Sequence, residues 1–167
     1  MNFAQNIIIY YNGERNEAIL LTILGLVLTS VSIFIWQHPG KNQMMNGFFY
    51  PIVFLALSTL ILGGFGVYNN TQRLERLPSL YSTNHNEFVK NEINRFEGPY
   101  GVNKWWVPLN IIWTLLLITG IVVSFATKKD LVNGIAIGLI FIGSIGFIID
   151  GFAHQRAKIY TAELTKQ

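Results

Sequence analysis

The chain has 167 residues, no cysteine, a net charge of +3, 51% hydrophobic residues and only 13% charged ones. Soluble domains carry about 25% charged residues, so the composition excludes an ordinary water-facing surface. The missing cysteines exclude disulfides, thiolate metal sites and iron–sulfur clusters, and the twelve Lys and Arg residues form no basic run that would hold a nucleic acid.

The first element in chain order is an uncharged arm within residues 1–16, rich in Ile7, Ile8, Ile9, Tyr10 and Tyr11. It is too short to span a bilayer. It reads as a helix lying in the membrane interface or as a short strand, because its β-branched run precedes the turn pair Asn12-Gly13. Either form is a sticky surface for a partner.

Ala18–Trp36 is the first of four uncharged apolar stretches. About 20 helical residues at about 1.5 Å each match a hydrocarbon core of about 30 Å, so each stretch predicts a transmembrane helix. The first is longer than the apolar part of a signal peptide, about 7–15 residues, and no small-x-small cleavage site follows it. Thr22, Gly25, Thr29 and Ser32 recur along it at spacings of three and four, forming a small, weakly polar stripe for helix packing.

The second stretch is Phe48–Tyr68, with Pro51 expected in its first turn and Gly63-Gly64-x-Gly66 near its end. Residues 69–106 form the one sizeable water-facing segment. The second helix is expected to continue through Gln72–Leu77 and to stop at Pro78. A further amphipathic helix is predicted over 85–97. Asn84 is placed to cap its start, Glu87 sits in capping-box position, and Gly98 is placed for a left-handed residue after its end. Phe88, Val89, Ile93 and Phe96 make its apolar face, the candidate interaction surface; with two basic and three acidic residues over 85–97 it does not suit an anionic lipid surface and is expected to pack on the bundle's own helix ends or on a partner. Glu92 and Arg95 read as an ordinary solvated pair.

Val107–Thr127 is the third stretch, opened by Pro108, and Leu131–Ile149 is the fourth. Gly134 and Gly138 of the fourth form a small-x-x-x-small pair that extends the packing stripe. Residues 150–167 are left as a terminal helix or tail. At its start, Asn110, Asp150 and His154 form a candidate polar rim, with Asp150 expected to pair with Arg156, Lys104 or another base.

The fold class is therefore an all-α integral membrane protein, a single membrane domain with a four-helix bundle and an amphipathic helix between helices 2 and 3. Four spans place nine basic residues with both termini and the middle loop, and three with the short loops, so the positive-inside rule puts both termini in the cytoplasm of an inner (plasma) membrane. No span carries a charge, no nucleophile lies beside a base, and His38, His85 and His154 have no metal-ligand spacing. No catalytic, metal or cofactor site is expected. The expected role is an accessory or interaction protein, its partners the lipid bilayer and either another protein or further copies of itself. The alternatives are a small homo-oligomeric pore lined by the Thr22–Ser32 stripe and, last, a membrane enzyme.

Overall fold

A computed structural model describes residues 3–38 and 42–167. Lys41, one of the three basic residues assigned to the short loops, lies outside them, as do Met1 and Asn2 of the arm. The described elements are α1 (Phe3–Gln37), α2 (Gln43–Thr83), α3 (His85–Glu97), a 3-10 turn at Val102–Lys104, α4 (Trp106–Ala126) and α5 (Asp130–Leu164). Four helices are long and apolar enough to cross a membrane.

Their lengths differ in an informative way. The 21 residues of α4 extend about 31 Å, close to a hydrocarbon core, whereas the 35 residues of α1 and of α5 extend about 52 Å and the 41 of α2 about 62 Å. Most of the excess comes at one end. That part consists of 3–17 in α1, 69–83 in α2 and 150–164 in α5, and these overhangs lie together with α3 to form a head. One apolar cluster joins Phe3, Ile7, Tyr10 and Tyr11 of α1, Leu77 of α2, Phe88 and Phe96 of α3, Trp106 of α4, and Ala157, Tyr160 and Leu164 of α5.

The head corrects several expectations. The arm is neither a strand nor a separate interfacial segment; its described residues form about the first four turns of α1, and Asn12-Gly13 lies inside the helix. Spacings of four and three put Phe3, Ile7 and Tyr10 on one face, which packs on the head and holds the helix through an otherwise β-favouring run. A Cβ at Gly13 would sit 2.8 Å from Cδ of Arg156, so the bare backbone there makes room for the arginine stem.

Pro78 does not stop α2, which runs on to Thr83. Proline costs a helix about 3 kcal/mol through its missing N–H and ring clash. Here Leu74, Leu77, Leu80 and Tyr81 pack on the head from both sides of the proline and hold the helical course. Nor does Pro51 mark a helix start. The helix begins eight residues earlier, where the Asn42 side chain accepts the Met44 N–H at 3.0 Å, and the Pro51 ring fills space left by Gly138.

The predicted boundaries of α3 are met, and its cap forms. Asn84 accepts the Glu87 N–H at 3.3 Å and donates to the Glu87 carboxylate at 2.8 Å. Gly98, however, has φ −59° and ψ 176° and is not left-handed. Pro99 follows it, and the residue before a proline is driven to extended ψ.

Along the apolar stretches the helices pack as a row, α1 on α2, α2 on α5 and α5 on α4, with α1 and α5 meeting more lightly. Small residues set the close approaches, as expected where lipid removes the hydrophobic drive between helices. Gly25 faces Thr59 and Leu60; Gly63 faces Ala18 and Thr22. Gly47 lies against the Leu131 carbonyl, and Gly134 against the backbone of Met44 and Phe48. Gly143 and Gly146 receive Leu117 and Trp113 of α4.

Candidate functional site

The apolar face of α3 is turned into its own chain. Phe88 and Phe96 are fully buried in the head, Val89 packs against the same cluster, and Ile93 is left exposed. Phe88 meets Phe3 and Tyr81 edge-on, and Phe96 packs on Tyr10 and Tyr160. The surface these side chains offered in the sequence is thus occupied by α1, α2 and α5.

The stripe on α1 is likewise filled. Gly25 and Ser32 are buried, and the hydroxyls of Thr22, Thr29 and Ser32 donate to the carbonyls four residues earlier, at 2.9, 2.8 and 2.8 Å. Thr22 faces Gly63 of α2, so part of the stripe proposed as a pore lining is spent on a helix contact.

The three rim residues are not one cluster. Asn110 donates to the Trp106 carbonyl at 2.8 Å, Asp150 accepts the indole N–H of Trp113, and His154 stacks on Trp106 with ring centres 4.8 Å apart. Among the described residues no hydrogen bond joins Asn110, Asp150 and His154 to one another. Asp150 does not pair with Arg156 either. That guanidinium instead spans α1 and α5, holding Glu14 at 3.0 Å and Glu17 at shorter range.

The strongest polar constellation was not foreseen. Glu92 is 4% exposed, at the centre of the head. Its Oε2 accepts the hydroxyls of Tyr11 at 2.8 Å and Tyr160 at 3.0 Å, and Arg95 Nη1 lies 3.7 Å from it. Arg95 also donates to the Tyr11 oxygen and lies near the rings of Tyr11 and Phe96, 5.1 and 4.8 Å from their centres. Burial raises the Tyr11 phenol above its ordinary range. Burial, then the nearby Glu92 charge, raises that of Tyr160. Both therefore stay protonated and keep donating at neutral pH.

A buried carboxylate with charge-assisted donors is a device for fixing register between helices. Here it ties α3 to α1 and α5. The sequence did carry a sign of it: Phe88, Glu92 and Phe96 recur every fourth residue, so a carboxylate sits in the middle of an aromatic stripe.

Among the described residues, two open surfaces reach onto the head. Along the α1/α5 seam run two adjoining grooves. One, of about 400 Å³, is lined mainly by Leu20, Leu21, Leu24, Ile148, Ile149 and Phe152; the other includes Ile9, Tyr10, Ile159 and Tyr160, and Arg156 borders both. With no lining residue in common with these, α2 and α3 form a polar groove carrying three arginines. Among the described residues no group of three or more His, Asp or Glu is placed to hold a metal. Comparison of the chain with protein-family models, with curated proteins and with solved structures finds no match.

Proposed function

We propose that the chain is a multi-pass accessory protein of an inner membrane, its head on the cytoplasmic side, where it binds another protein through the α1/α5 seam. One observation carries the reading. Ile9 and Ile159 are 56% and 62% exposed. They lie nine and ten residues beyond Ala18 and Ile149, the ends of their apolar stretches. At about 1.5 Å per residue that is about 13–15 Å, past a headgroup layer of about 5–8 Å per side. Lipid tails do not reach this height. Exposed apolar side chains gathered in a groove outside the bilayer mark a contact surface.

The surface suits a helix laid along the seam. Ile9 and Ile159 supply apolar anchors, and the Arg156–Glu14–Glu17 group and Glu163 supply a polar border. The basic residues that accompany the head support the cytoplasmic placement.

Photo-crosslinking residues placed singly at Ile9, Ile159 and Glu75 test this in native membranes. The expected result is one protein adduct, common to positions 9 and 159, absent at exposed Glu75 of α2, and lost from position 159 when Ile9→Asp is added. Equal adducts at all three positions, or adducts with lipid alone, would overturn the reading.

A further inference from the structure

The polar groove between α2 and α3 has a volume of about 390 Å³ and shares no lining residue with the grooves of the α1/α5 seam. Arg73 and Arg76 line it from α2, one turn apart, and Arg95 lines it from α3. Glu92 is the only carboxylate among its lining residues, so three positive charges and one negative leave a net +2. The Glu92 charge is already committed to Arg95, Tyr11 and Tyr160. Among the described residues neither Arg73 nor Arg76 is in an ion pair; Arg73 lies near the Tyr11 ring, 5.8 Å from its centre. Asn69, Gln72 and Asn91 add amide groups to the wall.

We infer that this groove binds a phosphoryl-bearing anion. Guanidinium groups present paired N–H donors that match the oxygens of a phosphoryl group. Arg95 is pre-set by Glu92 and Tyr11, so it needs no reordering to meet a ligand. Asn69 directly follows Tyr68, the end of the second apolar stretch. The Asn69 end of the groove thus lies at the height of lipid headgroups, with Arg73 and Arg76 about 8 and 12 Å beyond Tyr68, within reach of an anionic headgroup that extends above the layer. A soluble phosphate compound offers the same chemistry from the water side.

The test uses the full chain in mild detergent, with inorganic pyrophosphate as the soluble probe and phosphatidylglycerol against phosphatidylcholine as the lipid probes. The comparison is between R73Q/R76Q and a charge-matched control, K128Q/K158Q, whose lysines are exposed and outside the groove. Helix content by circular dichroism checks that each variant folds, and R76Q alone serves if the double variant does not. At least one probe is expected to bind saturably, with R73Q/R76Q or R76Q weakening it about tenfold and the control changing it less than twofold. Preferential retention of phosphatidylglycerol, seen by native mass spectrometry, assigns the headgroup source; pyrophosphate binding without that preference assigns the soluble one. The inference is overturned if neither probe binds, if the groove variants match the control, or if a hexaglutamate peptide displaces pyrophosphate at equal concentration.

Discussion

Glu92→Ala is expected to destabilise the head by about 3–5 kcal/mol, the usual cost of removing one partner from a buried charged network. The substitution leaves the Tyr11 and Tyr160 hydroxyls without their acceptor and Arg95 as a largely enclosed cation without its carboxylate. It also opens a void between Phe88 and Phe96. Glu92→Gln keeps an acceptor oxygen and loses the charge, so its cost falls between Ala and wild type. Glu75→Ala, at an exposed position on α2, is expected to stay within about 0.5 kcal/mol. Denaturant unfolding in detergent, followed by tyrosine and tryptophan near-ultraviolet dichroism, measures all three. Equal midpoints for Glu92→Ala and Glu75→Ala would mean that the network does not hold the head.

Gly134→Ala is expected to cost about 3 kcal/mol or more, the upper part of the range for overpacking. An added Cβ at this position runs into the Met44 carbonyl and lies 2.7 Å from the Phe48 nitrogen, so the neighbour is backbone and no side chain can swing aside. The α2/α5 crossing must open, and with it the contact at Gly47 against Leu131. Gly64 is the control, since nothing lies within 4 Å of a Cβ placed there. Gly64→Ala is expected to be neutral or slightly stabilising, because alanine is the better helix former. Unfolding in mixed micelles, monitored by helical dichroism, separates the two. A Gly134→Ala midpoint equal to that of Gly64→Ala would contradict the close crossing.

These two residues show what was legible in the sequence. The apolar runs disclosed four long helices, because length and absence of charge are local properties. Asn84 and Glu87 disclosed the start of α3 for the same reason. The head was missed because its core is assembled from segments far apart in the chain. Tyr11 and Tyr160 reach Glu92 across 81 and 68 residues. Read locally, Glu92 and Arg95 are a solvated i,i+3 pair, and only their long-range partners make them interior. The arm was misread because Ile8 and Ile9, both exposed, blur the face formed by Phe3, Ile7 and Tyr10. Pro78 misled for a related reason: its local preference was overridden by tertiary packing on both sides. The candidate face on α3 was sound as a buried stripe, and of its two expected occupants, the bundle or a partner, the chain's own helix ends cover Phe88 and Phe96.

The most direct test of the account is which side of the membrane each end of the molecule faces. The chain has no cysteine, so single cysteines report cleanly. Gln5, Glu75 and Ala162 are exposed on the overhangs of α1, α2 and α5, and Lys128 is exposed in the turn between α4 and α5. With a membrane-impermeant maleimide, Lys128→Cys should label in intact cells, and Gln5→Cys, Glu75→Cys and Ala162→Cys only after permeabilisation. Labelling of any of those three in intact cells, or the same response at Lys128 and Glu75, would contradict a four-span anchor with its whole head on the cytoplasmic side.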